Sequence, residues 1–181
     1  MGVPNYMNKQ FYLKKAEFVD IIAPNKKFID KVAKSIILIK EVDYSQYIKL
    51  SSRLKMIFIS RKSGYSNALH MPDKIWFTNY SMITRQNIAQ LASILIHEGV
   101  HATQPANSYG LRAEREASAE QIKFLKKMEE DYSYVEDYLK NKGWNEITKD
   151  KKSSKHFKNI LKLFKENKLS IVKIKSRRLK A

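Results

Sequence analysis

Two histidines four residues apart enclose a glutamate in the segment Ile96-His97-Glu98-Gly99-Val100-His101. On an α-helix, residues i and i+4 lie on one face, one turn apart, so His97 and His101 can bind the same metal ion. Glu98 is rotated by about 100° from His97 around the helix axis, so it can reach a metal-bound water without binding the metal. The spacing therefore indicates a metal site that activates water, with Glu98 as general base.

A third protein ligand is needed, because catalytic zinc is held by three side chains and keeps one position for water. In one known pattern this ligand is a histidine six residues after the second one, but Asn107 occupies that position here. Gln104 stands where the same pattern has a glycine. A histidine ligand from this pattern is therefore excluded, and a carboxylate from the next predicted helix is expected instead.

That helix offers two carboxylates, Glu114 and Glu116, which lie about 200° apart around its axis and cannot both face one ion. Glu114 shares a face with Ala117, a small residue that allows two helices to approach closely. We favour Glu114 as the third ligand and keep Glu116 as the alternative.

Hydrophobic periodicity predicts the elements that position these side chains. The active-site helix is indicated by apolar residues at helical spacing, capped by Thr84 and ended by Pro105. A second helix is predicted over about 111–128 and further helical character over 132–139. An amphipathic helix over 28–39 is capped by Asn25, and short apolar runs at 55–60 and 74–78 predict strands. A turn is predicted at 62–64. The apolar residues of the active-site helix are Ile88, Leu91, Ala92, Leu95, Ile96 and Val100.

The motif and the Glu114-x-x-Ala117 segment after it resemble the gluzincin metallopeptidases, in which HExxH is followed by a Glu-x-x-Ala-Asp helix. Residues 67–78 are similar to the segment before the active-site helix in CAAX-prenyl-protease-like and heat-shock-type membrane gluzincins. This chain has no comparable membrane stretch, so it looks closer to small soluble gluzincins with a minimal catalytic domain. The resemblance covers about residues 55–128.

The resemblance implies a zincin-like α+β fold. A small mixed or antiparallel sheet would pack against the HExxH helix and a Glu-bearing helix, with further N- and C-terminal helices. It implies one Zn²⁺ per chain, held by His97, His101 and Glu114, and hydrolysis of peptide bonds with Glu98 as base. A strand near 75–78 would form the rim of the cleft, where an extended peptide could add as another strand.

Family members often carry an Asp four residues after the Glu ligand, where it supports a metal-binding His. Ser118 occupies that position here, and its hydroxyl is a weaker acceptor for an imidazole N–H. The Glu116 register would restore a carboxylate, Glu120, at the corresponding place. His70 is expected to be structural. Candidates for a second oxyanion donor are Tyr109, Arg112, Tyr132, Tyr134 and His156.

Charge divides the chain of 181 residues into a body and a basic end. Residues 149–181 hold 13 of the 35 Lys and Arg residues and two of the 18 acidic ones, hence +11 of the net +17. We predict a catalytic domain over 1–148, with its core at about 55–130, and a basic C-terminal helical arm over 149–181 that includes a helix at 157–164. The arm could bind nucleic acid or an anionic surface without sequence specificity. As an alternative to a peptidase, the chain could be a binding module with a zincin fold and little or no catalytic activity, which would bind nucleic acid or an acidic partner through this arm.

Composition excludes several other classes of protein. A cysteine count of 0 excludes disulfide scaffolds, thiolate metal sites and a cysteine nucleophile. A hydrophobic fraction of 43% is enough for a packed core. The polar N-terminal segment lacks the apolar stretch of a signal peptide, so a cytoplasmic location is expected, with export by a route that cleaves no signal as the alternative. The oligomeric state stays open.

Overall fold

A computed structural model describes residues 10–60, 68–70, 74–104, 111–141, 159, 162, 166 and 171–174. The predicted turn at 62–64 lies outside these residues, as does most of the predicted helix at 157–164. The strands are β1 (Phe11–Ala16), β2 (Val19–Ala23), β3 (Met56–Ser60), β4 (Ala68–His70), β5 (Ile75–Asn79) and β6 (Ile171–Lys173). The helices are α1 (Lys26–Val42), α2 (Tyr44–Arg53), α3 (Tyr80–Arg85), α4 (Ile88–His101), α5 (Leu111–Lys127) and α6 (Ser133–Asn141).

The six strands form one mixed sheet in the order β4-β5-β3-β2-β1-β6. The neighbours β5, β3 and β2 run parallel to one another, as do β1 and β6, whereas β4 runs antiparallel to β5 and β1 antiparallel to β2. An α+β fold with a mixed sheet is thereby confirmed. The strand predicted as the rim of a cleft, β5, is paired on both sides, so that prediction is wrong and the edge strand at this end of the sheet is β4.

Both faces of the sheet are apolar because hydrophobic residues follow one another in its central strands. Ile57 and Ile59 of β3 lie in the core shared with the helices, whereas Phe58 between them lies in a smaller cluster with Phe11 and Phe77. The larger core includes residues of α1 and α4 that are essentially inaccessible to solvent: Ile29, Val32, Ile36, Ile39, Leu91, Ala92 and Leu95.

The periodic segments fold as predicted, with differences at their ends. Asn25 caps α1, and its side chain accepts a hydrogen bond from the backbone N–H of Lys27. The predicted cap of the active-site helix, Thr84, is wrong: it lies inside α3, and its hydroxyl donates to the carbonyl of Tyr80. The chain becomes extended at Gln86, and α4 begins only after this break.

Three parts of the sheet were not predicted, of which β4 is one. The hairpin of β1 and β2 precedes α1, and α2 follows α1. The N-terminal part of the body therefore contains strands as well as helices. Within the basic segment at 149–181, Ile171–Lys173 form β6, which pairs in parallel with β1. These three residues of the predicted basic C-terminal arm therefore belong to the sheet of the body. No helix within the described part of the chain has the length and apolar character needed to cross a membrane.

Candidate metal centre

The helix α4 carries the HExxH motif near its end and has a capping box at its start. At its start, Asn87 accepts from the backbone N–H of Gln90 at 2.7 Å, and Gln90 Oε1 accepts from the backbone N–H of Asn87 at 2.9 Å. This reciprocal capping box satisfies two of the amide groups that a helix start leaves unpaired. At its end, the helix presents His97 and His101 one turn apart.

Small residues on both sides let neighbouring helices approach α4 closely. Ala113 and Ala117 of α5 are buried, and the side chain of Ala117 is inaccessible to solvent. On another side, a Cβ placed on Gly99 would lie only 2.9 Å from Cδ1 of Leu50 in α2. Arg53 of α2 also donates a hydrogen bond to the carbonyl of Gly99 at 3.2 Å. The turn of α4 that carries His97 and His101 therefore packs between α2 and α5.

The donor atoms of His97, His101 and Glu114 converge at one point. The two Nε2 atoms are 2.9 Å apart, and the Glu114 oxygens lie 3.5 Å from Nε2 of His97 and 3.7 Å from Nε2 of His101. Tetrahedral zinc with bonds of 2.0–2.1 Å would separate its ligand atoms by about 3.3 Å, so the observed distances bracket the required value. Two imidazole nitrogens and a carboxylate oxygen are also ligands that zinc commonly takes. The three residues fit a metal ion.

The carboxylate of Glu98 lies beside this group but does not belong to it. Glu98 is buried, and burial raises its pKa, although the nearby His97 and His101 act in the opposite direction. A carboxylate with a raised pKa is a better acceptor of a proton than one in water. A buried carboxylate beside these residues could act as a general base.

The imidazole of His97 is influenced by burial and by neighbouring carboxylates. Burial alone would lower the pKa of His97, but the interaction with Glu114 and the charges of Glu98 and Glu114 raise it further than burial lowers it. A bound cation would compete with this protonation, because a metal ligand must offer an unprotonated nitrogen. The Nδ1 atom of His97 is buried and makes no hydrogen bond of good geometry within the described part of the chain, although the side chain of Gln121 interacts with the ring and also raises the pKa of His97.

The alternative ligand Glu116 does not join the donor group. Its carboxylate accepts from Nε2 of Gln104 at 3.2 Å and from Nε of Arg112 at 3.3 Å. Gln104 in turn contacts the ring of His101, with 2.7 Å between Oε1 and Nδ1. Glu116 therefore contacts His101 only through Gln104, whereas Glu114 lies close to both histidines and could hold a metal ion with them.

Ser118, which stands where family members often carry an Asp, lies on the buried face of α5. Its Oγ is inaccessible to solvent and has no partner among the described residues. The alternative acidic position, Glu120, points elsewhere: its carboxylate accepts from the side chains of Gln46 and Lys123.

Of the candidate oxyanion donors, Arg112, Tyr132 and Tyr134 lie within the described residues. Arg112 is 94% exposed and pairs with Glu116, while the ring of Tyr132 lies 4.9 Å from Nζ of Lys126. Tyr134 is on α6, and burial raises the pKa of its phenol. Tyr109 and His156 lie outside the described residues, and of His70 only its place in β4 is described.

Gln104 is the contact residue that sequence reasoning missed. It follows His101 by three residues, in the turn after α4, where its backbone N–H donates to the carbonyl of His101 at 3.2 Å. An amide at such a position could have been noted as a candidate partner for the second histidine. Its partners on α5, however, are brought near only by the packing of the two helices.

Comparison of the chain with protein-family models, with curated proteins and with solved structures gave no match.

Proposed function

We propose that this chain is a zinc-dependent metalloendopeptidase with a zincin-like catalytic domain. One observation carries the proposal: Nε2 of His97, Nε2 of His101 and the Glu114 carboxylate lie within 4.8 Å of one another, beside the buried Glu98. The three ligand types and the adjacent carboxylate match the requirements of a catalytic zinc site that keeps one position open for water.

Each residue of the chain has a definite part in this proposal. His97 and His101 bind through Nε2 and Glu114 through its carboxylate, which leaves the carboxylate of Glu98 free for proton transfer. When bound, the zinc ion supplies a water of lowered pKa and a positive charge that polarises the scissile carbonyl. Glu98 accepts a proton from water and returns it to the leaving amine, and its raised pKa favours the first of these transfers.

The sheet edge at β4 is the strand available to an extended peptide at this end of the sheet, because β5 is paired on both sides. Backbone hydrogen bonds to an edge strand would align a peptide with little regard to its side chains. The proposed substrate is therefore an extended or unfolded segment of a protein.

The test is hydrolysis of unfolded casein by the purified chain loaded with one equivalent of zinc. Glu98→Gln should keep the zinc and lose the hydrolysis. Glu41→Gln, which makes the same change at an exposed position of α1, should retain both. Zinc binding without hydrolysis in the unaltered chain would contradict the proposal and favour a binding module that uses the basic segment at 149–181.

A further inference from the structure

The Nδ1 atom of His101 faces away from His97 and Glu114 and contacts the side chain of Gln104. This nitrogen lies 2.7 Å from Oε1 of Gln104. Either nitrogen of a neutral imidazole can carry the proton, and only the other one can bind a metal. Whatever determines the proton position at Nδ1 therefore determines whether Nε2 can act as a ligand.

The orientation of the Gln104 amide is determined by two groups that can only accept. Its Nε2 lies 2.9 Å from the carbonyl oxygen of Ala113 and 3.2 Å from Oε2 of Glu116. A carbonyl oxygen and a carboxylate cannot donate, so the NH₂ end of Gln104 must point toward α5. Its Oε1 must then point toward His101, and Nδ1 of that ring must be the donor.

The acceptors themselves are part of α5, the helix that also carries Glu114. Ala113 and Glu116 are on its first turns, and Arg112 donates from Nε to Glu116 at 3.3 Å, one helical turn away. The packing of α5 against α4 thus sets both the third ligand and the amide that faces the second histidine. The first histidine differs, since Nδ1 of His97 makes no comparably short contact among the described residues, and its ring interacts with Gln121 of α5 instead.

We propose that Gln104 is a positioning residue for His101. Its amide is oriented by the Ala113 carbonyl and the Glu116 carboxylate, and it holds the His101 ring with the proton on Nδ1. The lone pair of Nε2 then faces the other two proposed ligands, His97 and Glu114. The role assigned to the lone pair rests on the proposed metal site. Such outer contacts typically change metal affinity by about 10–100-fold when they are removed.

The first test uses the metal-free protein, so it does not depend on catalysis. Long-range ¹H–¹⁵N correlation spectra show which nitrogen of each neutral imidazole carries the proton. His101 should carry it on Nδ1 in the unaltered chain, and Gln104→Met, which removes the acceptor at similar volume, should shift the proton toward Nε2. Gln104→Glu keeps an acceptor oxygen and should retain the Nδ1 proton.

The second test is zinc affinity, measured by competition with a chromophoric chelator. Gln104→Met should weaken zinc binding by about 10–100-fold. Gln86→Met is the matched control in the link between α3 and α4, and should leave the affinity unchanged. Circular dichroism spectra establish that each variant is folded.

Two results would overturn the proposal. One is a His101 proton on Nε2 in the unaltered chain, and the other is a zinc affinity of folded Gln104→Met within twofold of the unaltered chain. If Gln104→Met does not fold, Gln104→Glu decides, because loss of the Nδ1 proton in that variant also overturns the proposal. Absence of peptide hydrolysis would contradict the proposed function but would change neither measurement, so the two failures are distinguishable.

Discussion

Gly99 lies midway between the two histidines of the motif, and replacing it tests how α2 supports the metal-binding turn. In Gly99→Ala the new Cβ would lie 2.9 Å from Cδ1 of Leu50, well inside the optimum carbon–carbon separation of about 3.5–4.0 Å. Leu50 is only 2% exposed, so its side chain has little room to move away. The substitution should therefore force α2 and α4 apart.

Two opposing effects set the size of the change in stability. Alanine is favoured over glycine in a helix by at most about 1 kcal/mol. Overpacking of a close-packed core costs about 1–3 kcal/mol. We expect the free energy of unfolding of Gly99→Ala to fall by about 1 kcal/mol, and its zinc affinity to fall as well because the turn bearing His97 and His101 is displaced.

A double-mutant cycle measured by urea unfolding, followed by far-ultraviolet circular dichroism, isolates this contact. Leu50→Ala alone should cost about 2–5 kcal/mol, but it should cost less in the Gly99→Ala chain because the new methyl group enters the vacated space. The expected coupling is about 1–2 kcal/mol. Gly99→Ala combined with Ile22→Val is the control, because Ile22 lies in the cluster on the other face of the sheet and the two effects should add. A stabilised Gly99→Ala chain with no coupling to Leu50 would refute the packing argument.

Three further predictions follow from other contacts. Glu114→Ala should lose most zinc binding, whereas Glu116→Ala should keep a site weakened by about tenfold, as read by chelator competition. Ser118→Ala should leave stability unchanged or raise it by up to about 1 kcal/mol in urea unfolding, since its buried hydroxyl has no described partner. Asp43→Ala should cost about 1 kcal/mol at neutral pH, because the carboxylate caps α2 and pairs with Lys127.

The Asp43 prediction has a defined pH dependence. Burial opposes ionisation of Asp43, but hydrogen bonds from Lys127, Ser45 and the backbone of Gln46 outweigh it and lower the pKa of Asp43. A carboxylate whose pKa is lower in the folded state stabilises the fold above its unfolded pKa of about 3.9. That contribution is lost as the pH falls through the lower folded value. The difference between Asp43→Ala and the unaltered chain should shrink over this acidic range, and a constant difference would contradict the assignment.

Periodicity was sufficient to predict α1 and α5, because each buries one face over several turns. It also predicted α4, although this helix is buried on all sides over residues 91–96. It was insufficient for β1, whose sequence Phe-Tyr-Leu-Lys-Lys-Ala has adjacent lysines and no regular alternation. It was also insufficient for β6, a strand of 3 residues within a lysine-rich segment. Both strands depend on pairing between distant parts of the chain, which local patterns do not report.

The arrangement of His97, His101 and Glu114 likewise depends partly on local helix geometry and partly on tertiary packing. The relation of His97 to His101 follows from helix geometry. The shared face of Glu114 and Ala117 favoured Glu114 over Glu116, and the Glu114 carboxylate lies close to both histidines. The contact of Gln104 with His101 could not be derived in this way, because its orientation depends on acceptors brought together by the packing of α4 against α5.

The central claim is that one zinc ion is bound by His97, His101 and Glu114. Crystals of the zinc-loaded chain, measured at the zinc absorption edge, would locate the ion directly by anomalous scattering. We predict one peak per chain, within about 2.0–2.2 Å of both Nε2 atoms and of a Glu114 oxygen. The absence of a peak at this place, or a peak bound by Glu116 instead of Glu114, would contradict the claim.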